Sequence, residues 1–338
     1  MSELNSIGVP ATYLASFLDS PTLNRDQLAA IGGRAPFDIA SLGGEQTRIG
    51  LGDLLTTLGL IDEISPPGWH IQPTLELESA HHGPLGMAAV TATSLDAAVD
   101  CLVRFESLRS PWTVLQASTT SRPEGLRIRI LPVLALPSPG ELLMEMNLIA
   151  LVSLLSELSG RQREQLHTEL PARYRPWARQ LRRSLPGKVS LDQRHYQIWI
   201  PEPLLALPCL LADPGLHASA VRRCEELLAQ GSESGPTSAL VQQQLMAVHG
   251  QNPGLHAIAA RLGLSPRTLM RRLEAENSSY RDLVDRVRLT LARDWLKNTD
   301  MPVSRIAELL GYGDPANFGR AFRRWTGISP GAMRRRQN

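Results

Sequence analysis

Two stretches of this chain set arginines at helical spacing opposite an apolar stripe. In "SPRTLMRRLEA" (265–275), Leu269 and Leu273 share one side of a helical wheel. Arg267, Thr268 and Arg271 lie opposite, with Arg272 at the flank. In "DPANFGRAFRRW" (314–325), Phe318, Phe322 and Trp325 take the apolar side. Ala316, Asn317, Arg320, Arg323 and Arg324 lie opposite. A guanidinium can donate two hydrogen bonds to guanine O6 and N7, and an asparagine amide can pair with adenine in the same way. Arginines at a helix flank hold phosphates, which fix register without reading sequence. Arg323 and Arg324 suit phosphates better than bases, and Asn317 is open to either. A solvated charged face would account for one such helix taken alone.

The two stretches are copies, which weakens that bland reading. Ile258-Ala259 and Leu262-Gly263 match Ile306-Ala307 and Leu310-Gly311 at an offset of 48. After one inserted residue, Ser265-Pro266 matches Asp314-Pro315, Leu269 matches Phe318, Arg271 matches Arg320, and Leu273 matches Phe322. Each copy is a short helix, a glycine turn, an N-cap residue with proline at the first helical position, and a second helix. That is the sequence form of a helix-turn-helix. The units are expected at about 255–276 and 303–326, with recognition helices 265–276 and 314–325. Between them "SSYRDLVDRVRLTLARDWLKN" (278–298) predicts a helix with an apolar seam at Leu283, Val287, Leu291 and Leu296. Such a spacer would hold two readers in successive major grooves, roughly 34 Å apart.

Charge agrees with this placement. Residues 238–338 carry 16 Lys+Arg and 8 Asp+Glu, a net of +8. Residues 1–237 hold the remaining 19 basic and 25 acidic groups, a net of −6. The basic part attracts phosphate; the acidic part does not. The sign changes at "AQGSESGPTS" (229–238), a small, polar segment with Pro236, which predicts a linker at 230–236. Two domains follow, 1–229 and 237–338, as a length of 338 residues suggests.

Upstream, helices and strands interleave without a βαβ rhythm, which predicts an α+β domain. "SLDAAVDCLVRFESLRS" reads as a helix capped by Ser94, and "WTVLQAST" and "GLRIRILPVL" as a hairpin. "RHYQIWIPEPLL" reads as a further strand, and "DPGLHASAVRRCEELLAQG" as a helix that ends at the linker. "SPGELLMEMNLIALVSLLSELSG" is a long helix, apolar around much of its circumference, suited to a core or a dimer interface. The basic run "RYRPWARQLRR" (173–183) is expected as a solvated helix face, with an anionic-effector site or a DNA contact as the alternatives.

Other chemistry finds little support. Cys101, Cys209 and Cys224 are scattered without a CxxC, so no disulfide framework or metal site is expected. His81-His82 lack a third partner at useful spacing. Phosphate-loop and nucleophile-elbow patterns are absent, so neither catalytic residues nor a cofactor are expected. An enzyme tethered to DNA is the competing class, and these missing motifs count against it. No run of 18 apolar residues occurs and the start lacks a signal-peptide pattern, so a cytoplasmic protein without a membrane partner is expected.

The segment "IAELLGYGDPANFGRAFRRWTGISPGAMRRR" resembles the DNA-binding domain of the AraC/XylS transcription regulators along almost its whole length. Met333 departs from the family's usual tyrosine, while Arg334 is kept. "HGPLGMAAVTATSLDAAVDCLVRF" and "PLLALPCLLADPGLHASAVRRCEELL" are similar to the arabinose-binding-type N-terminal domain of regulators related to the ornithine-utilisation regulator. The resemblance implies an α+β domain that binds a small-molecule effector and dimerises, followed by an all-α domain that binds double-stranded promoter DNA. It also implies activation rather than repression, and contact with RNA polymerase. It carries over no effector-binding residues and does not identify the effector.

Overall fold

The computed structural model describes residues 2–21, 23–43, 47–121, 124–134, 136–171, 176–209, 211–234, 237–248, 253–262, 264–276, 278–298 and 301–335. The chain divides into two compact units, Met1–Gly235 and Pro236–Asn338.

The first unit is α+β. Alternating apolar and polar side chains, with turn residues between them, make a sheet that is solvated on one face. Strands β1 (Gly8–Pro10) and β2 (Arg48–Gly50) form a small antiparallel pair. The main sheet holds β3 (Thr113–Ser121), β4 (Glu124–Pro132), β5 (His167–Glu169), β6 (Lys188–Ser190) and β7 (Tyr196–Pro201), in the order β3-β4-β7-β5-β6. The predicted hairpin is β3–β4, and the predicted strand is β7. The three-residue strands are too short to show a period of two, so sequence alone does not separate them from loop. Ile128 faces Ile198 across β4 and β7, and both are buried along with Ile130 and Ile200.

Helix Gly140–Ser159 packs on this apolar face. Its four side chains outside the buried set are Glu141, Ser153, Ser156 and Glu157, all polar. The helix therefore belongs to the core, and the dimer-interface alternative has no apolar face left to use. By length and composition the span Gly140–Gln165 could cross a bilayer, but 89% of its apolar window is buried inside the fold. Helix Leu95–Arg109 begins as expected, with the Ser94 side chain accepting from the Ala97 N–H at 3.2 Å.

Two expectations need correction. Helix Pro214–Ser234 runs well into the predicted linker at 230–236. An established helix gains one hydrogen bond per added residue, which offsets the weak propensity of the Gly and Ser there. Residues 235–236 lie outside the described residues. The basic run 173–183 is not simply a solvated face. Its residues 173–175 lie outside the described ones, but Trp177 donates to the buried Glu145 carboxylate at 2.6 Å and meets His70 edge-on. The indole serves the core, and the arginines of helix Ala178–Ser184 follow it.

The second unit is all helical over its described residues: Thr237–Ala247, Leu255–Arg261, Pro266–Ala275, Tyr280–Asn298, Val303–Leu309, Pro315–Thr326 and Pro330–Arg335. Leu283, Val287, Leu291 and Leu296 of the spacer helix Tyr280–Asn298 are buried as the seam predicts, joined by Val284, Ala292 and Trp295. Two side chains satisfy helix ends across long stretches of sequence. The Glu276 carboxylate accepts from the N–H groups of Thr237 and Ser238 at 2.5 and 2.8 Å, which caps the unit's first helix. The Arg334 guanidinium donates to the carbonyls of Leu296 and Met301, at 3.5 and 2.6 Å, near the end of the spacer.

Candidate nucleic-acid interface

Each reader helix starts from a turn whose bonds repeat between the copies. Leu264 N–H donates to the Ala259 carbonyl at 2.9 Å, and Tyr312 N–H donates to the Ala307 carbonyl at 2.9 Å. Both bonds span five residues and close the first helix of their unit. Gly311 sits in this turn at φ 77°, where a residue with a Cβ is strained. The Ser265 hydroxyl then accepts from Thr268 N–H at 3.1 Å, and the Asp314 carboxylate accepts from Ala316 N–H at 2.9 Å. Proline follows each cap, where its missing N–H costs nothing.

The reader helices are Pro266–Ala275 and Pro315–Thr326. Leu269, Leu273, Phe318 and Phe322 are fully buried or nearly so. Phe318 stacks at a tilt between Tyr312 and Phe322, with 5.6 Å between ring centroids on each side. This aromatic column fixes the roll of the second helix. Arg267 and Arg271 are consequently exposed on the first reader, and Ala316, Asn317, Arg320, Arg323 and Arg324 on the second.

Three candidate residues have less freedom than their place on the wheel suggests. Thr268 is half-buried and its hydroxyl lies 2.8 Å from that of Ser265, so it serves the cap. Arg272 is half-buried at the flank and has partners of its own. Arg320 donates to the Asn317 side-chain oxygen, so the two candidate base readers of the second helix are joined to each other.

Arg320, Arg324 and Asn317 also line a groove between the second reader and the spacer, together with Tyr312 and the spacer residues Arg281 and Arg288. The Arg288 guanidinium stacks over the Tyr312 ring, 4.7 Å from its centroid. Arg324 reaches across to Asp285 at 2.9 Å. Arg281 and Arg288 lie outside the residues expected from sequence, because the apolar seam of the spacer marks it only as a support. Their separation of seven residues places them on one helix face beside Val284, and that spacing was the available signal. The groove presents four arginines and one carboxylate, an arrangement suited to a phosphodiester backbone.

Comparison with known proteins adds two matches at the family level. Residues 44–209 match the arabinose-binding domain found at the N-terminus of AraC transcription regulators, and residues 258–336 match a helix-turn-helix domain. The chain is 35% identical over 146 residues to the ornithine utilization regulator of Pseudomonas aeruginosa, covering 43% of each protein. It is 27% identical over 262 residues to the HTH-type transcriptional regulator VirS of Mycobacterium tuberculosis, covering 73% of each. The first curated relatives are matched over 43% of their own length. Among solved structures, the transcriptional regulator CdpR of Pseudomonas aeruginosa is similar over 82% of this chain and 90% of its own, at 21% identity and a TM-score of 0.45.

Proposed function

The chain belongs to the AraC-type transcription regulators, and on that premise we propose that it is a sequence-specific DNA-binding regulator of transcription. One observation carries the reading. Two reader helices, built on the same turn, each lock an apolar stripe into the core and leave arginines in solvent. A single basic helix has many explanations; a duplicated one suits the repeated major groove of a duplex. Arg271 and Arg320, equivalent in the two copies, are the residues proposed to meet base edges. Arg267, Arg323 and Arg324, with Arg281 and Arg288 beside them, are proposed to meet phosphates.

The first unit is proposed to bind a small-molecule effector and to pair two chains. Effector binding would shift the population of arrangements in which both DNA-binding units engage adjacent sites. Activation through contact with RNA polymerase, inside the cytoplasm, is the mode the family suggests. The test is fluorescence anisotropy of the full chain on its own promoter region at several salt concentrations. Specific binding should survive excess random duplex and weaken steeply with salt. Equal affinity for random duplex at every salt concentration would sink the reading.

A further inference from the structure

We infer that the cleft where helix Leu95–Arg109 hands over to β3 takes an uncharged molecule with an apolar body and a carbonyl-type acceptor. The inference rests on the proposed reading only in calling that molecule the effector; the binding site itself stands on geometry. The cleft is open on one side, with a cavity volume of about 50 Å³, and its walls include Phe17, Leu54, Leu58, Leu143 and Met146. Its polar lining includes Arg109, Trp112 and Asn147, along with Tyr13, Thr74 and Ser110.

Arg109 and Asn147 belong to a buried network whose internal needs are largely met. Glu106, Arg109, Thr113 and Asn147 are all at most 5% exposed. Arg109 donates through Nε and Nη2 to the Glu106 carboxylate at 3.2–3.4 Å, and through Nη2 to the Asn147 oxygen at 2.5 Å. The Asn147 amide donates to Glu106 and to Thr113 Oγ1 at 3.2 and 2.9 Å. Thr113 donates to Glu106 at 2.9 Å.

Two donors are left over. Trp112 is 4% exposed, and its indole Nε1 is buried with no hydrogen-bond partner among the described residues. Arg109 makes no bond through Nη1 among the described residues. Arg109 and Trp112 both line the cleft, at the turn that joins the helix to β3. Ser110 N–H donates to the Glu106 carbonyl at 2.8 Å, and Thr113 N–H donates to the Ser110 carbonyl at 3.0 Å. Of the two leftover donors, Trp112 Nε1 is the buried one, where lacking a partner is costly and an incoming acceptor removes that cost.

Charge selects the kind of acceptor. Arg109 and Glu106 already form a neutral pair. The imidazole of His82, hydrogen-bonded to Tyr13 at the cleft wall, stays neutral because burial, then Arg109, pushes its pKa down to about 3. A carboxylate would add a second anion beside Glu106 with no new cation to balance it. A carbonyl oxygen accepts a hydrogen bond from the indole N–H without adding that charge.

The test titrates the full chain with three probes of similar shape: phenylacetamide, phenylacetate and ethylbenzene. The readout is the Trp112 indole N–H resonance, assigned by its loss in Trp112→Phe. Phenylacetamide should shift that resonance and bind about tenfold more tightly than phenylacetate, the scale of one hydrogen bond or one unbalanced charge. Trp112→Phe should weaken the amide by about fivefold and leave ethylbenzene unchanged. A Trp112 resonance unmoved by millimolar phenylacetamide overturns the site. Phenylacetate binding as tightly as the amide overturns the ligand class. Promoter affinity measured on the same samples separates the two readings, since amide binding that leaves it unchanged removes the regulatory role but not the site.

Discussion

Arg324 Nη2 lies 2.9 Å from Asp285 Oδ2, which ties the second reader helix to the spacer. The pair is partly exposed, so its contribution to stability is small, ~0–1 kcal/mol. Its larger effect is on charge, because Asp285 is the one carboxylate among the described residues that line a groove of four arginines. Asp285→Asn should leave the melting temperature nearly unchanged, tighten promoter binding, and steepen the salt dependence by up to about one unit in log–log slope. Anisotropy titrations across salt concentration check this. Weaker binding by Asp285→Asn would instead mean that Asp285 holds Arg324 in its working position.

Arg271→Ala and Arg320→Ala should each cost ~1–3 kcal/mol of promoter affinity and relax the base preference at one position. Arg323→Ala should weaken binding to all duplexes alike and flatten the salt slope by about one. Selection from a randomised duplex pool distinguishes the two behaviours. An unchanged base preference with both Arg271→Ala and Arg320→Ala would remove the base-reading assignment. Asn317→Ala is expected to act mainly by releasing Arg320, since the two side chains are bonded to each other.

Arg334 is basic and lies near the end of the chain, but its guanidinium is committed to the Leu296 and Met301 carbonyls. Hydrogen bonds from a charged group are worth ~1.5–3 kcal/mol. Arg334→Ala should therefore lower the stability of the second unit by about that much. Promoter affinity per folded molecule should hardly change at low temperature. Urea unfolding followed by circular dichroism, together with anisotropy, separates the two effects.

His82 gives the first unit a pH dependence of known sign. Burial first, then Arg109 and His81, depress its folded pKa to about 3, below the ordinary value of 6.5. The unfolded chain therefore binds the extra proton between these two values. Stability contributed by neutral His82 is complete above about pH 6.5 and falls as pH drops toward 3, by up to ~1.4 kcal/mol per pH unit. His82→Gln should flatten this slope in urea midpoints measured between about pH 4.5 and 7. A slope unchanged by the substitution would place the titration elsewhere.

The duplicated reader was legible because its determinants are local. Ser265-Pro266 and Asp314-Pro315 start helices through bonds made within three residues, and Leu269, Leu273, Phe318 and Phe322 declare the buried side by spacing alone. The helix ends fall within a residue or so of their predicted positions for the same reason. Helix Gly140–Ser159 was equally plain as an element, yet its apolar circumference could not say whether sheet or partner would cover it.

By itself, then, the sequence determined the elements, the charge division between the two units, and which arginines leave the apolar stripe. Tertiary structure decided which of those arginines remain at liberty. Asp285 is 39 residues from Arg324, so no helical wheel could pair them. It also decided the cleft. Arg109, Trp112 and Asn147 come from a helix end, a turn and a second helix, and only packing brings them together. Periodicity reports how one segment meets its surroundings, whereas a buried polar network depends on contacts between segments far apart in the chain.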